Sequence, residues 1–132
     1  MESCMTKEHI MIVDGDILKA ERLKRNLELE NFIVDVVHYG NEALTVLKRK
    51  WVDLIISSIT LQGTMNGIQL LQEIKKSKEL ADTPIIIMSS KINLEKSIYG
   101  IGATLFVEKP YDVLELIQKI KDIFPGNSKK SK

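Results

Sequence analysis

The sequence has little of three features that would place it in a specialised class of protein. It has one cysteine, Cys4, among 132 residues, so an internal disulfide is excluded and a reducing compartment is expected. Its 19 basic residues nearly balance 18 acidic ones, which predicts binding neither to nucleic acid nor to a membrane surface. Long apolar runs are lacking, and those such as residues 85–88 have only the length of a strand. We therefore expect a cytoplasmic protein.

The composition that remains is that of a globular domain with a regular alternation of elements. Hydrophobic residues make up 44% of the chain and charged residues 28%, as is usual for soluble domains. Segments of helical spacing separate five β-branched-rich runs, at residues 10–13, 33–37, 54–57, 85–88 and 104–107. Runs that are apolar on both faces are typical of strands between two layers of helices. The pattern predicts an α/β fold, a doubly wound parallel sheet of five strands with five helices.

Polar residues mark the ends of the predicted helices and of the domain. Asp16 and Asp112 are predicted N-caps of the first and last helices, and Asn66 precedes the third. We predict one domain over residues 8–124. Residues 125–132 are polar and are predicted to form a disordered tail.

The residues that follow the strands are the candidate site. In an open α/β sheet, ligands bind outside the carboxyl ends of the strands. Four polar segments lie at such ends, namely Asp14-Gly15-Asp16, Ser58, Ser89-Ser90 and Glu108-Lys109-Pro110.

These four segments, in this order, resemble the receiver domain of bacterial two-component response regulators of the chemotaxis-regulator type. Residues 52–58 and 102–110 are the most diagnostic. The resemblance implies a flavodoxin-like receiver fold and a role in phosphorelay signal transduction rather than an enzyme activity. It also implies protein partners, which are a kinase, another receiver, an effector or a second copy of the chain.

The resemblance assigns roles to five residues. Asp14 matches the first of two acidic residues that hold Mg²⁺ in active receivers. Ser89 matches the hydroxyl residue that contacts the phosphoryl group, and Phe106 matches the aromatic switch position. Lys109 matches the lysine that bridges acceptor and phosphate. Pro110 matches a proline that a cis peptide bond usually precedes.

The sequence departs from the family pattern at two decisive positions. Gly15 stands where the second acidic residue is expected, and Ser58 stands where the phospho-acceptor aspartate is expected. Asp14 is then the remaining carboxylate, because Asp16 is interpreted as a helix cap. Mg²⁺ prefers several oxygen ligands with carboxylates among them, so its binding is expected to be weak or lost, and no cofactor is expected. A serine hydroxyl is a weak nucleophile without an adjacent base, so Ser58 is predicted not to accept phosphate.

This reasoning favours a pseudo-receiver that acts by protein docking, without phosphorylation. Its output surface is predicted on the fourth and fifth helices and the fifth strand, where Ile92, Tyr99 and Leu105 are apolar candidates. One alternative is a response regulator phosphorylated at a noncanonical site. Another is a flavodoxin-like cofactor binder, although no glycine-rich phosphate loop follows the first strand. Trp51 is expected to be partly exposed and to pack against the second helix rather than to bind a ligand.

Overall fold

The fold is a parallel sheet between two layers of helices. The computed structural model describes residues 7–124, and the predicted tail, residues 125–132, lies outside them. The strands are β1 (His9–Val13), β2 (Ile33–Val37), β3 (Leu54–Ser58), β4 (Ile85–Ser89) and β5 (Leu105–Glu108). They form one sheet in the order β2-β1-β3-β4-β5, with every pair parallel. The predicted fold class is confirmed.

Three of the helices begin directly after the polar residues that the sequence marks as their starts. The helices are α1 (Ile17–Leu29), α2 (Gly40–Leu47), α3 (Gly67–Lys76), α4 (Glu95–Ile101) and α5 (Val113–Ile123), with a 3₁₀ turn at Ile92–Leu94 before α4. Asp16 and Asp112 cap α1 and α5 as predicted, because each side chain accepts a hydrogen bond from a first-turn N–H. Asn66 and Gln69 form a reciprocal capping box at the start of α3.

Both faces of the sheet are buried. Along β1, Ile10 and Ile12 pack into a cluster with α1 and α5, while Met11 and Val13 pack on the opposite face with α2, α3 and α4. Successive side chains of a strand point to opposite faces. A strand between two helical layers is therefore apolar at most of its positions, as the sequence predicts.

Strand register determines which residues meet at the carboxyl edge of the sheet. Val13 pairs with Ser57, so Asp14 and Ser58 follow on neighbouring strands, and Ser89 pairs with Glu108 just before Lys109. The chain reverses its strand order beside β1, which is where ligands bind in this class of fold. Ser58 and Ser89 are the last residues of β3 and β4, one residue beyond the predicted runs.

Trp51 is largely exposed, and its packing against α2 stays a prediction. Its side chain is 72% exposed, and its indole N–H donates to Asp53 Oδ1 at 3.0 Å. Asp53 also accepts from the His9 N–H at 2.8 Å, so Trp51 and His9 both donate to the carboxylate that precedes β3. Within residues 7–124, no helix combines the length and apolar character needed to cross a bilayer.

Candidate functional site

Lys109 lies at the centre of the residues gathered at the carboxyl edge of the sheet. Its ammonium group donates a hydrogen bond to Ser58 Oγ and lies 3.6 Å from Asp14 Oδ2. Asp14 and Ser58 are 4% and 1% exposed, so this contact is made away from bulk water. Lys109 thus forms an ion pair with Asp14, but its hydrogen bond is with Ser58.

The carboxylate of Asp14 also fixes the start of α1. The backbone N–H of Asp16 donates to Asp14 Oδ1 at 3.0 Å. The side chain of Asp16 accepts from the Lys19 N–H at 3.1 Å, so it serves the helix as a cap. Within residues 7–124, no three His, Cys, Asp or Glu side chains come together in a group that could hold a metal ion.

Gly15 is covered by the loop that follows β3. Its N–H donates to the Thr60 carbonyl at 3.2 Å, and Gln62 Nε2 donates to the Gly15 carbonyl at 2.9 Å. A Cβ atom at Gly15 would lie 3.1 Å from backbone atoms of Leu61 and Gln62. The loop therefore rests on the space where a side chain at position 15 would begin. Nothing in the sequence pattern indicated this role for Gln62.

Gly67 allows that loop to return close to the end of β3. Its N–H donates to the Ile59 carbonyl at 2.8 Å. A Cβ atom here would lie only 2.1 Å from the carbonyl oxygen of Ser58, so a larger residue requires α3 to shift. The sequence predicted a helix start here, but not this close approach of α3 to the site.

The other two strand ends complete the edge. Ser89 is 6% exposed, and its hydroxyl oxygen accepts from the Lys91 N–H at 2.9 Å. This is the local hydrogen bonding that is ordinary for a serine at a turn. The Lys109–Pro110 peptide bond is cis, which confirms the prediction made for Pro110.

Phe106 and Tyr99 join α4 to the last strand. Phe106 is buried at 7% exposure, and its N–H donates to the Tyr99 hydroxyl at 2.9 Å. Because β5 is an edge strand, this phenol satisfies a backbone donor that has no neighbouring strand on that side. Tyr99 was predicted only as an apolar surface residue, so its hydrogen bond was missed.

The sequence matches the family of response regulator receiver domains over residues 10–121. The chain belongs to this family. Receiver domains of this family act in two-component systems, and the sheet order and the edge described above are those of a receiver fold.

Individual relatives agree with the assignment. The chain is 29% identical over 129 residues to YkoG, an uncharacterized transcriptional regulatory protein of Bacillus subtilis, across 96% of this chain and 55% of YkoG. It therefore spans about half the length of that relative. A putative response regulator from Chloroflexus aurantiacus superposes with a TM-score of 0.84 at 25% identity, covering 89% of this chain and 98% of that one. The receiver domain of a signal transduction histidine kinase from Syntrophus aciditrophicus gives 0.82 at 29% identity, covering 90% and 91%.

Proposed function

We propose that this receiver domain signals by docking a protein partner and does not cycle through an aspartyl phosphate. One observation carries the proposal. At the end of β3 the side chain that faces Lys109 is the hydroxyl of Ser58, and a hydroxyl cannot form the acyl phosphate that a carboxylate forms.

Ser58 is also poorly placed to act as a nucleophile of another kind. A serine needs a neighbouring base to take its proton. The obvious base is Asp14, but its two oxygens face the Asp16 N–H and the ammonium group of Lys109. The ammonium group also donates to Ser58 Oγ, which draws electron density from the atom that would attack. These contacts argue against phosphorylation at Ser58.

The residues at this edge do not fit a magnesium ion. Mg²⁺ takes six oxygen ligands in near-octahedral geometry and is held by carboxylates, whereas among residues 7–124 no group of three metal-binding side chains forms and Asp14 is the carboxylate that faces Lys109. Lys109 places a positive charge 3.6 Å from it, where a cation would have to bind. We infer that Mg²⁺ binding is weak or lost.

Without phosphorylation, the conformation of the partner-binding surface would depend on packing alone. We define the output surface as the exposed face of the 3₁₀ turn and α4, next to β5. Ile92 is 55% exposed there and Tyr99 is 40% exposed. The hydrogen bond from Phe106 to Tyr99 and the burial of Phe106 hold α4 against β5 without any phosphate. A surface held in this way is available constitutively to a kinase, another receiver, an effector or a second copy of the chain.

The test is partner binding with and without a phosphodonor. Immobilised chain is exposed to extract from its source cell, with or without acetyl phosphate, and sedimentation velocity reports self-association. We expect the same partner in both conditions and its loss in Ile92→Asp. Leu29→Asp is the matched control, because Leu29 is an equally apolar residue, 76% exposed, at the end of α1.

A separate variant distinguishes a residue that contacts the partner from one that holds the output surface in place. Tyr99→Phe removes the hydrogen bond to Phe106 but keeps the ring, so we expect it to weaken binding less than Ile92→Asp. The proposal fails if a partner binds only after acetyl phosphate treatment, or if Ile92→Asp and Leu29→Asp bind it as well as the unaltered chain does.

A further inference from the structure

A cleft opens beside the Asp14–Lys109 pair, between α1 and the segment that follows β5. Its volume is about 510 Å³, and Asp14 and Lys109 form part of its lining. Ligand sites in proteins have volumes of roughly 300–1,000 Å³. The cleft is therefore large enough for a small organic molecule and extends well beyond the contact between Lys109 and Ser58.

One wall of the cleft is cationic. Lys19 and Arg22 lie three residues apart on α1 and both line the cleft, so their side chains share one face of the helix. Neither forms an ion pair with a carboxylate of residues 7–124. The acid in the lining, Asp14, already has the ammonium group of Lys109 at 3.6 Å. The wall thus has two positive charges that no acidic side chain neutralises.

The rest of the lining is mainly apolar. It includes Leu23 of α1 and, after β5, Pro110, Tyr111 and Val113. Burial raises the pKa of Tyr111 above its ordinary value, and the negative charge of Asp14 raises this pKa further, whereas Arg22 lowers it. Tyr111 is therefore a neutral phenol at physiological pH, and it lines the same cleft as the two cations.

We propose that this cleft binds a small molecule that carries a phosphate group on an aromatic body. Lys19 and Arg22 hold the phosphate, because two cations match a dianion and the guanidinium group of Arg22 donates to two oxygens at once. The ring lies against Tyr111 and Leu23. No bond forms or breaks, and the site does not depend on partner docking. Ligand binding would link the edge of the sheet to α1 and to the start of α5.

Adenosine 5′-monophosphate and phenyl phosphate are the probes, titrated into the full chain by calorimetry. Adenosine has the ring system without the phosphate, and inorganic phosphate has the charge without a ring. We expect each probe to bind more tightly than either of these two parts. Arg22→Ala should weaken binding by about tenfold, the usual consequence of losing one charged hydrogen-bond donor. Arg25→Ala is the control, since Arg25 is an exposed cation of the same helix that does not line the cleft.

Amide chemical shifts give a second readout that does not depend on any variant. The proposal predicts that titration moves the signals of residues 19–26 and 109–113 and leaves those of the output surface in place. It is overturned if neither probe binds at about 1 mM, a free energy of roughly −4 kcal/mol. Equal binding of adenosine, or equal losses in Arg22→Ala and Arg25→Ala, would also overturn it. Arg22 and Arg25 are both exposed, and urea midpoints equal to that of the unaltered chain would show that the two alanine variants fold.

Discussion

The variant with Gly15→Asp and Ser58→Asp together should recover magnesium binding. The two changes add carboxylates at the positions that flank Asp14, giving three acidic groups at one edge of the sheet. Mg²⁺ is held by such groups. Ser58→Asp alone gives two carboxylates, one of them beside Lys109, and we expect it to bind Mg²⁺ less well than the pair does.

The cost of the double change without metal can be estimated from the structure. Ser58 is 1% exposed, so its replacement places a charge beside Asp14 in a site shielded from water. Two charges about 4 Å apart repel by about 4 kcal/mol at an effective dielectric constant of about 20. Lys109 lies 3.6 Å from Asp14 and offsets part of this repulsion. We therefore expect the metal-free variant to lose about 2 kcal/mol of stability.

Urea unfolding with and without Mg²⁺ measures both effects. At about 100 times its dissociation constant, Mg²⁺ should return about 2.7 kcal/mol to the double variant and nothing to the unaltered chain. Gly15→Asn with Ser58→Asn is the control, because it has the same bulk without charge. A Cβ at position 15 lies 3.1 Å from the loop backbone, so this control measures the steric cost separately. If the urea midpoint of the double aspartate variant is the same with and without Mg²⁺, the expected recovery of magnesium binding is wrong.

Two further predictions concern packing and pH. Gly67→Ala should destabilise the chain by about 2 kcal/mol, because the new Cβ would lie 2.1 Å from the Ser58 carbonyl oxygen. Gly100→Ala has open space around the new Cβ and should stabilise α4 by about 0.5–1 kcal/mol. Equal urea midpoints for the two variants would contradict this. The raised pKa of Tyr111 means that the folded chain holds the phenol proton more tightly than the unfolded chain. Its contribution to stability is complete below pH 10.0 and is lost as pH rises through the folded pKa. The stability of the unaltered chain relative to Tyr111→Phe should therefore fall above that pH, and a constant difference would count against it.

Much of the fold follows from local patterns that the sequence displays directly. Strands buried on both faces read as short apolar runs, and the caps Asp16, Asn66 and Asp112 lie where backbone N–H groups need acceptors. The strand-end residues were predicted to meet because parallel strands bring their carboxyl ends to one edge. Asp14, Ser58 and Lys109 do so.

The contacts that were missed depend on how separate segments approach each other in the fold, which the local residue pattern does not display. Gln62 reaches Gly15 across 47 residues, and Tyr99 meets Phe106 through a hydroxyl that a hydropathy pattern does not register. The closeness of Gly67 to Ser58 is likewise a property of how α3 returns to β3.

Intact mass spectrometry shows whether this receiver domain accepts a phosphoryl group, which we propose it does not. The full chain is incubated with acetyl phosphate and Mg²⁺, and the same treatment is given to the variant with Gly15→Asp and Ser58→Asp. We expect the unaltered chain to keep its mass, while the variant gains one acid-labile phosphoryl group. A stoichiometric phosphoryl group on the unaltered chain, whether acid-labile or acid-stable, would show that this domain is phosphorylated after all.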